Sequence, residues 1–366
     1  LLLTIEAAKT LKGDLLPEVE RALRSAIRAS RITGSFKSYG KTTINAAAYT
    51  PDGSVLALGD SLGGVTLWDV ATGLYRKALF THVDNVDTIV FSADGRKMAS
   101  GSEDGRVAIW DTENWTLLHV LTGHVDGVTD LSFSRPDGQL LATASDDASV
   151  IIWNVTEGKP VGETLYGHCN GVQAVVFGRD QRQLFTAGYD HRVVAWDALK
   201  GRILYSFDAR DNIFDIDLSI DGSRLAIAAG SQVEIWDTAT RYRRMVLAGH
   251  TNSVLAVRFG PDHRQVATTS YDGTVRIWRL PRDSRDPQRQ VEELARIRAE
   301  PTAEPLFDLF TALAFSPKGD TVAAASVGGT ATIWNVAAGG ELLSLPGREA
   351  AVLALAFSPD GRTIAA

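Results

Sequence analysis

Four groups of a hydroxyl residue, a histidine and an aspartate recur along the chain at nearly constant spacing. Each has the hydroxyl residue ten and the aspartate six positions before a tryptophan, with the histidine further upstream: His82, Ser100, Asp104, Trp110; His124, Thr143, Asp147, Trp153; His168, Thr186, Asp190, Trp196; and His250, Thr268, Asp272, Trp278. These residue types form hydrolase triads, which need an exposed nucleophile beside an oxyanion hole. An active site is normally built once, so the fourfold repetition favours a structural role.

The other residues that could do chemistry do not form a recognisable site. Cys169 is the only cysteine and offers no thiolate pair, and three further histidines are dispersed: His119, His191 and His263. Gly34 and Gly40-Lys41-Thr42 approach a phosphate-binding loop, but five residues separate the glycines instead of four and no helical pattern follows. The sequence predicts no catalytic residue, no metal and no cofactor.

Composition narrows the class of partner. The 366 residues are 45% hydrophobic and 22% charged, as in ordinary globular proteins, and the net charge is -7. That charge gives no broad electrostatic reason to bind nucleic acid or an anionic membrane. A single cysteine fits a reducing compartment, and no apolar run approaches the ~18 residues of a membrane span. We expect a cytoplasmic protein with protein or peptide partners.

The tryptophans mark a repeat that organises the chain. Seven of the eight lie at separations of 42, 43, 43, 40, 42 and 56 residues: Trp68, Trp110, Trp153, Trp196, Trp236, Trp278 and Trp334. Each ends a short alternating apolar pattern such as Val107-Ala108-Ile109-Trp110, and two more such patterns precede it across Asp-Gly or Pro-Asp turns. With a fourth apolar segment such as 74–80, each period predicts four antiparallel strands.

These motifs resemble the WD-repeat family. Gly123-His124 opens a unit, Ser145-Asp146-Asp147 marks the turn between its second and third strands, and Trp153-Asn154 ends the third strand. The resemblance covers about residues 31 to 366 and implies an all-β fold, a β-propeller of seven to eight four-stranded antiparallel blades. It also implies that each of the four groups forms a buried hydrogen-bonded set, here called a fastener. Three units depart from this pattern, with Leu62, Gly230 and Gly328 in place of the aspartate and no histidine.

The two ends of the chain raise separate expectations. Residues 1–30 carry apolar residues at helical spacing and predict a short helical linker or cap. Residues 31–43 have the place of an outer strand, while 352–366 begin an eighth unit that lacks its third strand. The Leu/Ala/Arg-rich start resembles the junction in bacterial WD-repeat proteins whose propeller follows a signalling ATPase of the STAND type, so an attached module is an alternative to a simple cap.

The long interval between Trp278 and Trp334 predicts an exposed excursion. A polar stretch at 281–290 precedes a possible helix or strand at 291–297. Long loops in compact repeats often carry function, so we expect this excursion to contribute to a partner site.

The resemblance also places partner contacts on the rim that carries the loops joining strand d to strand a and strand b to strand c. Carried over to this chain, an acidic arc comprises Asn85, Asp87, Glu103, Thr129 and Asp146, and an aromatic arc comprises Gln173, Tyr189, Phe214, Leu255 and Tyr271. Aromatic residues on rigid surfaces dominate binding energy, so the aromatic arc is the sharper candidate, with scattered surface aromatics as the alternative.

Three functions remain open from the sequence. The first is a non-catalytic scaffold or sensor that binds a protein or peptide through this rim. The second is a propeller hydrolase or metal-dependent enzyme, which would bring several carboxylates or histidines together at the central channel. The third is a purely structural domain, whose rim would be polar and without an apolar patch.

Overall fold

Short antiparallel strands make up all the regular secondary structure in the computed structural model, which describes residues 43–281, 291–298, 309–337, 341–346 and 351–366. The predicted N-terminal helical segment and nearly all of the predicted outer strand at 31–43 lie outside these residues. Since the described part of the chain contains no helix, none of it forms a helix that could cross a membrane.

Seven sheets follow one another along the chain, and each is called a blade with strands a to d in chain order. Blade 1 has β1 Ile44–Tyr49, β2 Val55–Asp60, β3 Gly64–Asp69 and β4 Tyr75–Phe80; blade 2 has β5 Val86–Phe91, β6 Lys97–Ser102, β7 Arg106–Asp111 and β8 Thr116–Thr122. Blade 3 has β9 Val128–Phe133, β10 Leu140–Ser145, β11 Ser149–Asn154 and an outer strand in two pieces, β12 Lys159–Pro160 and β13 Leu165–Tyr166.

The remaining blades keep the same order. Blade 4 has β14 Val172–Phe177, β15 Gln183–Gly188, β16 Arg192–Asp197 and β17 Arg202–Asp208; blade 5 has β18 Ile213–Leu218, β19 Arg224–Ala229, β20 Gln232–Asp237 and β21 Arg243–Ala248. Blade 6 has β22 Val254–Phe259, β23 Gln265–Ser270, β24 Thr274–Arg279 and β25 Glu292–Arg298; blade 7 has β26 Phe310–Phe315, β27 Thr321–Ser326, β28 Thr330–Asn335 and β29 Glu341–Pro346. The segment left open as helix or strand is therefore the outer strand of blade 6.

Burial follows the order of the strands. Strands b and c are almost completely buried, as in β15 and β16, whereas strands d such as β17 are largely exposed. The strands a of neighbouring blades contact one another, so they surround a common axis. Apolar clusters lie between successive blades, and Trp196, for example, packs in a cluster shared by blades 3 and 4. Each blade thus buries its faces only against its neighbours, which is the reason the blades form a ring.

A two-stranded sheet occupies the place between blade 7 and blade 1. Its strands, β30 Ala356–Phe357 and β31 Ile364–Ala365, pair with each other, and β30 contacts both β26 and β1. The Thr311 hydroxyl donates to the Val352 carbonyl at 2.9 Å, and Ala365 packs with Leu56 and Trp68 of blade 1. The described chain is an all-β propeller of seven four-stranded blades plus this partial blade.

Candidate partner-binding rim

The four fasteners place each histidine between a hydroxyl and a carboxylate. The Nε2 atoms of His124, His168 and His250 lie 2.7 Å from the paired threonine Oγ1 atoms, and His82 Nε2 lies 2.9 Å from Ser100 Oγ. Their Nδ1 atoms face the paired aspartates at 2.9 to 3.4 Å. The hydroxyl residues are fully buried. A buried hydroxyl cannot attack a substrate, so the geometry does not provide the exposed nucleophile of a triad.

Proton positions in a fastener follow from its chemistry. An ionised carboxylate only accepts hydrogen bonds, so the histidine Nδ1–H donates to the aspartate and Nε2 accepts from the threonine hydroxyl. The threonine oxygen in turn accepts from the tryptophan Nε1–H at 2.9 to 3.1 Å in blades 3, 4 and 6. Burial lowers the pKa of all four fastener histidines, against the opposing effect of the aspartates, and therefore favours this neutral form.

Blade 2 differs from the predicted set at its tryptophan. His82 contacts both Ser100 and Asp104, but Trp110 Nε1 is buried and has no hydrogen-bond partner among the described residues. Ser100 lacks the methyl group of the threonines in the other three fasteners. Trp110 therefore lies at the expected position in blade 2 but takes no part in the hydrogen bonds of the fastener.

Two blades without a fastener bind their tryptophan in another way. Trp68 Nε1 donates to Thr66 at 3.1 Å, and Trp236 Nε1 donates to Glu234 at 2.8 Å. Both acceptors lie two positions before the tryptophan in strand c. In blades 2, 3 and 4 that position holds Ala108, Ile151 and Val194, and in blade 6 it holds Arg276, which cannot accept a hydrogen bond. A hydrogen-bond acceptor there was therefore the signal that could have revealed the substitute partner.

The turn between strands b and c in blade 5 is also shorter than the sequence comparison assumed. Only Gly230 and Ser231 separate β19 from β20, whereas three residues separate β15 from β16 in blade 4. The Gly230 N–H donates to the Asn212 carbonyl, as the Tyr189 N–H does to Gly171 in blade 4. Gly230 thus corresponds to Tyr189 and not to the aspartate Asp190, because the turn in blade 5 is one residue shorter.

A repeated irregularity presents the strand a candidates on the rim. The register of every pairing between strands a and b in the seven blades shifts around the second residue of strand a, as in a β-bulge: Asn45, Asp87, Thr129, Gln173, Phe214, Leu255 and Thr311. A bulge leaves one residue unpaired and re-aims its side chain. Phe214 and Leu255 are the apolar members of this series, so its apolar side chains lie in blades 5 and 6.

The candidates in the turns between strands b and c occupy equivalent positions as well. Their main-chain N–H groups donate to the carbonyl of the residue just before strand a: Glu103 to Asn85 at 2.9 Å, Asp146 to Gly127 at 3.0 Å, Tyr189 to Gly171 at 3.0 Å and Tyr271 to Ser253 at 2.9 Å. This hydrogen bond holds each turn beside the bulge of its own blade. The rim is therefore a ring of paired side-chain positions on a fixed backbone.

In the acidic arc, carboxylates interact across blades. Asp87 accepts a hydrogen bond from Asn45 at 3.1 Å, and burial raises its pKa, helped by the charges of Glu103, Asp84 and Asp146. The other two members use neutral groups: the Asn85 carbonyl holds the Glu103 turn of its own blade, and the Thr129 hydroxyl donates across the blades to the Val172 carbonyl of blade 4.

The aromatic arc contains three rings in contact. The centroids of Tyr189 and Phe214 are 5.6 Å apart and those of Phe214 and Tyr271 are 6.4 Å apart, both nearly perpendicular. Tyr271 is 43% exposed, while Tyr189, Phe214 and Leu255 are half-buried. Gln173 Nε2 donates to Asp146 at 2.7 Å and connects the two arcs. The structure thus brings together side chains from blades 4, 5 and 6.

Besides Asp87, three carboxylates lie on the innermost strands, which is the feature that an enzyme in the channel would need. They accept main-chain N–H groups of the following blade, in the pairs Asp130 with Val175 at 2.8 Å, Asp215 with Val257 at 2.9 Å and Asp217 with Phe259 at 2.7 Å. Arg258 forms an ion pair with Asp215. Burial raises the pKa of Asp130 to about 7 and of Asp217 to about 6. These contacts join adjacent blades.

No group of three or more His, Cys, Asp or Glu side chains in the described ranges is arranged to hold a metal ion. The near phosphate-binding loop around Gly34 and Gly40 lies outside those ranges. Cys169 is exposed, and its main-chain N–H donates to Asp190 of the blade 4 fastener at 3.0 Å.

Comparison with known proteins agrees with the repeat. The sequence profile of the family described as WD40, "WD domain, G-beta repeat", matches more than half of the chain, at residues 74–111, 115–154, 158–197, 242–279, 308–335 and 339–366. The strands a to c of blades 1 and 5, which have no fastener, fall outside these matches. Their sheets nevertheless have the same order and register as the others.

Individual relatives share part of the chain. "Periodic tryptophan protein 2" of Arabidopsis thaliana is 29% identical over 58% of this chain and 22% of its own length; "WD repeat-containing protein srw1" of Schizosaccharomyces pombe is 25% identical over 69% and 46%; and "COMPASS component SWD3" of Saccharomyces cerevisiae is 31% identical over 39% and 48%. The chain spans less than half the length of each. These relatives are eukaryotic and lend no support to the resemblance to bacterial propellers with an ATPase module.

Solved structures show the same architecture. "Structure of U3-55K" superposes with a TM-score of 0.64 at 25% identity, over 79% of this chain and 90% of that one. The computationally designed Ika8 protein superposes with a TM-score of 0.73 at 24% identity, over 90% and 97%. With its repeats matched over more than half of its length and its blades arranged around one axis, the chain belongs to the WD40 repeat family.

Proposed function

We propose that the chain is a non-catalytic scaffold or sensor that binds a protein or peptide through its rim. The contacts of Phe214 with Tyr189 and Tyr271 carry this proposal, since they join three aromatic side chains from three blades into one partly exposed surface. Tyrosine and phenylalanine supply large contact area at low entropic cost and are enriched in interfaces. An apolar patch on the rim also favours a binding domain over a purely structural one.

The rigid support of this surface strengthens the proposal. Fasteners in blades 4 and 6 lie directly behind Tyr189 and Tyr271, since Asp190 and Asp272 are the next residues in the chain. A preorganised surface loses little conformational entropy on binding. In this proposal Tyr189, Phe214, Leu255 and Tyr271 supply affinity, while Gln173, Asp87, Glu103 and Asp146 set the orientation of the partner.

The names of relatives support protein partners. SWD3 is named a COMPASS component, and a Schizosaccharomyces pombe relative, wat1, is named a subunit of the target of rapamycin complex. The enzyme alternative gains less support, because the channel carboxylates already accept hydrogen bonds from main-chain N–H groups and, at Asp215, from an arginine.

We further propose a cytoplasmic location and no role for nucleic acid or membrane. The excursion at 281–297 would contact a partner. An attached signalling module is the alternative to a helical cap at the start of the chain.

The test is a pull-down from the source cell with two matched variants. One replaces Tyr189, Phe214, Leu255 and Tyr271 by alanine. The control replaces the same residue types at exposed positions away from the aromatic arc: Phe80, Tyr166, Leu199 and Tyr242. We expect the first variant to lose partners that the wild type and the control retain, with the folded state preserved by circular dichroism. Equal retention by both variants would exclude the rim patch.

A further inference from the structure

The acidic and aromatic arcs form one continuous surface. The backbone of Glu103 lies against Gly127, whose carbonyl accepts the Asp146 N–H at 3.0 Å. The Asp146 carboxylate packs against Gly171, whose carbonyl accepts the Tyr189 N–H at 3.0 Å. Phe214 and Tyr271 then follow through the ring contacts described above. A single extended ligand of several residues could therefore touch both arcs.

Glycines make this continuity possible. A Cβ atom on Gly171 would lie 2.6 Å from Asp146 Oδ1, and one on Gly127 would lie 3.3 Å from the Glu103 Cα. Larger residues at these positions would displace the carboxylates from the rim. The absence of side chains at Gly127 and Gly171 thus leaves the acidic groups next to one another and next to Tyr189.

The charges in this surface favour a cationic ligand. Burial raises the pKa of Asp87, and the charges of Glu103, Asp84 and Asp146 act in the same direction, against the lowering effect of the hydrogen bond from Asn45. Asp146 also helps to raise the pKa of the Tyr189 phenol, so its charge extends to the first ring of the trio. A ligand with positive charges would relieve this repulsion, whereas an acidic peptide or a nucleic-acid phosphate would add to it.

Among the residues that the structure describes, cations neutralise this surface only in part. Arg106 and Arg192 lie on strands c, farther from the axis than the rim residues, and Arg192 is already engaged by Ser206 and Asp208. Arg210 is exposed in the loop before Phe214, next to Asp211. The acidic side of the surface therefore faces solvent with an excess of negative charge.

The aromatic trio complements such a ligand. The face of an aromatic ring carries negative charge density and attracts a lysine or arginine side chain within about 6 Å. The Asp146 carboxylate accepts Gln173 with Oδ1, and in the described structure its other oxygen remains available beside Tyr189. One cation could thus contact a ring face and a carboxylate together.

We propose that the rim binds a basic peptide segment, with an arginine or lysine side chain over the trio of Tyr189, Phe214 and Tyr271 and further positive charges facing Asp146, Glu103 and Asp87. This inference rests on the proposed function and names the chemical class of its partner. The ligand is a protein segment, because the aromatic half of the surface needs a packed side chain and the acidic half repels phosphate.

The test uses a fluorescein-labelled twelve-residue peptide with four arginines spaced by glycine and serine, and its counterparts with glutamine or glutamate in place of arginine. Fluorescence anisotropy with the intact chain at low salt should show binding of the arginine peptide only. The variant Asp87→Asn, Glu103→Gln, Asp146→Asn should weaken that binding about tenfold or more. Asn and Gln keep the acceptors for Asn45 and Gln173, so the fold should persist.

Two controls separate the rim from general attraction. Glu113→Gln, Glu157→Gln, Glu163→Gln removes the same charge from exposed positions elsewhere and should change the affinity less than twofold. Replacing the three trio rings by leucine keeps an apolar surface and should weaken binding about threefold to thirtyfold. Equal affinity for the glutamine peptide, or equal losses in the two charge variants, would overturn the proposal.

The outcome also separates this inference from the proposed function. If the four-alanine variant loses a cellular partner while the neutralised rim variant retains it at unchanged affinity, the rim binds proteins but not through basic segments. If the four-alanine variant retains every partner of the wild type, the rim function itself fails, whatever the synthetic peptides show.

Discussion

Two adjacent threonines in strand β23 allow a direct test of the fastener. Thr268 and Thr269 are both fully buried. Thr268 Oγ1 accepts the Trp278 Nε1–H at 3.1 Å and donates to His250 Nε2 at 2.7 Å. Thr269 Oγ1 is buried and has no hydrogen-bond partner among the described residues. Valine has nearly the shape of threonine, so the same substitution removes a bonded hydroxyl at one position and an unbonded one at the other.

The expected changes in unfolding free energy differ in size and in sign. Thr268→Val leaves the Trp278 N–H and the His250 Nε2 without partners, and each such buried group costs about 1–3 kcal/mol, so the total loss should be about 2–6 kcal/mol. Thr269→Val removes a desolvated hydroxyl that makes no hydrogen bond. Its effect should lie between zero and a gain of about 1–2 kcal/mol.

Urea unfolding, followed by tryptophan fluorescence and far-ultraviolet circular dichroism, measures both changes. If the two signals do not coincide, the midpoint of the transition that includes blade 6 replaces the global free energy. Thr268→Ser keeps the hydroxyl and should recover the part of the loss that is due to His250, because Ser100 in blade 2 bonds His82 but not Trp110. The reasoning fails if the two valine variants agree within about 0.5 kcal/mol, or if Thr269→Val is the more damaging.

Three further predictions concern titratable groups. Glu234→Ala should lower the free energy of unfolding by about 2–3 kcal/mol, because the Trp236 N–H and Arg243 lose a buried partner. Glu234→Gln can still accept the hydrogen bond from Trp236 and should lower it less. Equal losses of the two variants in urea unfolding would contradict this. Burial raises the pKa of Asp130 to about 7, so the folded chain binds a proton from about pH 4 to 7 that the unfolded chain lacks, and the stability due to this group falls as pH rises. Asp130→Asn should therefore be more stable than the wild type near pH 8, with the difference shrinking towards pH 4; a difference that grows on acidification would refute it. Finally, nuclear magnetic resonance titration should show that each of the four fastener histidines titrates below its ordinary value of 6.5, because burial lowers each pKa. A fastener histidine that titrates at or above 6.5 would contradict the neutral form inferred for the fasteners.

The strands and the complete fasteners were largely predictable because their causes are local. The short apolar run from Val107 to Trp110 is typical of a strand, which the structure buries on both faces, and turn sequences such as Pro136-Asp137-Gly138 connect the hairpins. The spacing between Thr186, Asp190 and Trp196 is likewise local, because it is set by the lengths of strands β15 and β16 and of the turn between them. The strand and turn patterns recur along the chain, so each unit supports the strand prediction for the others.

The departures could not be predicted from spacing alone. Counting back from Trp236 placed Gly230 at the aspartate position, because a count cannot detect a turn that is one residue shorter. Ser100 lies as far before Trp110 as each fastener threonine lies before its tryptophan, so spacing did not reveal that Trp110 Nε1 has no hydrogen-bond partner among the described residues. Glu234 was overlooked as a partner of Trp236, although a charged residue at an inward position of strand c was a usable signal.

The sequence by itself determined the repeat, the four-stranded unit and the residues that each unit offers to its rim. Which rim residues become neighbours was decided only by the tertiary structure, because Tyr189, Phe214 and Tyr271 belong to three units some forty residues apart. Closure of the ring sets the angle between blades, and the bulges in strand a re-aim the side chains. Neither is encoded within one repeat, because both depend on how neighbouring blades bury their faces together.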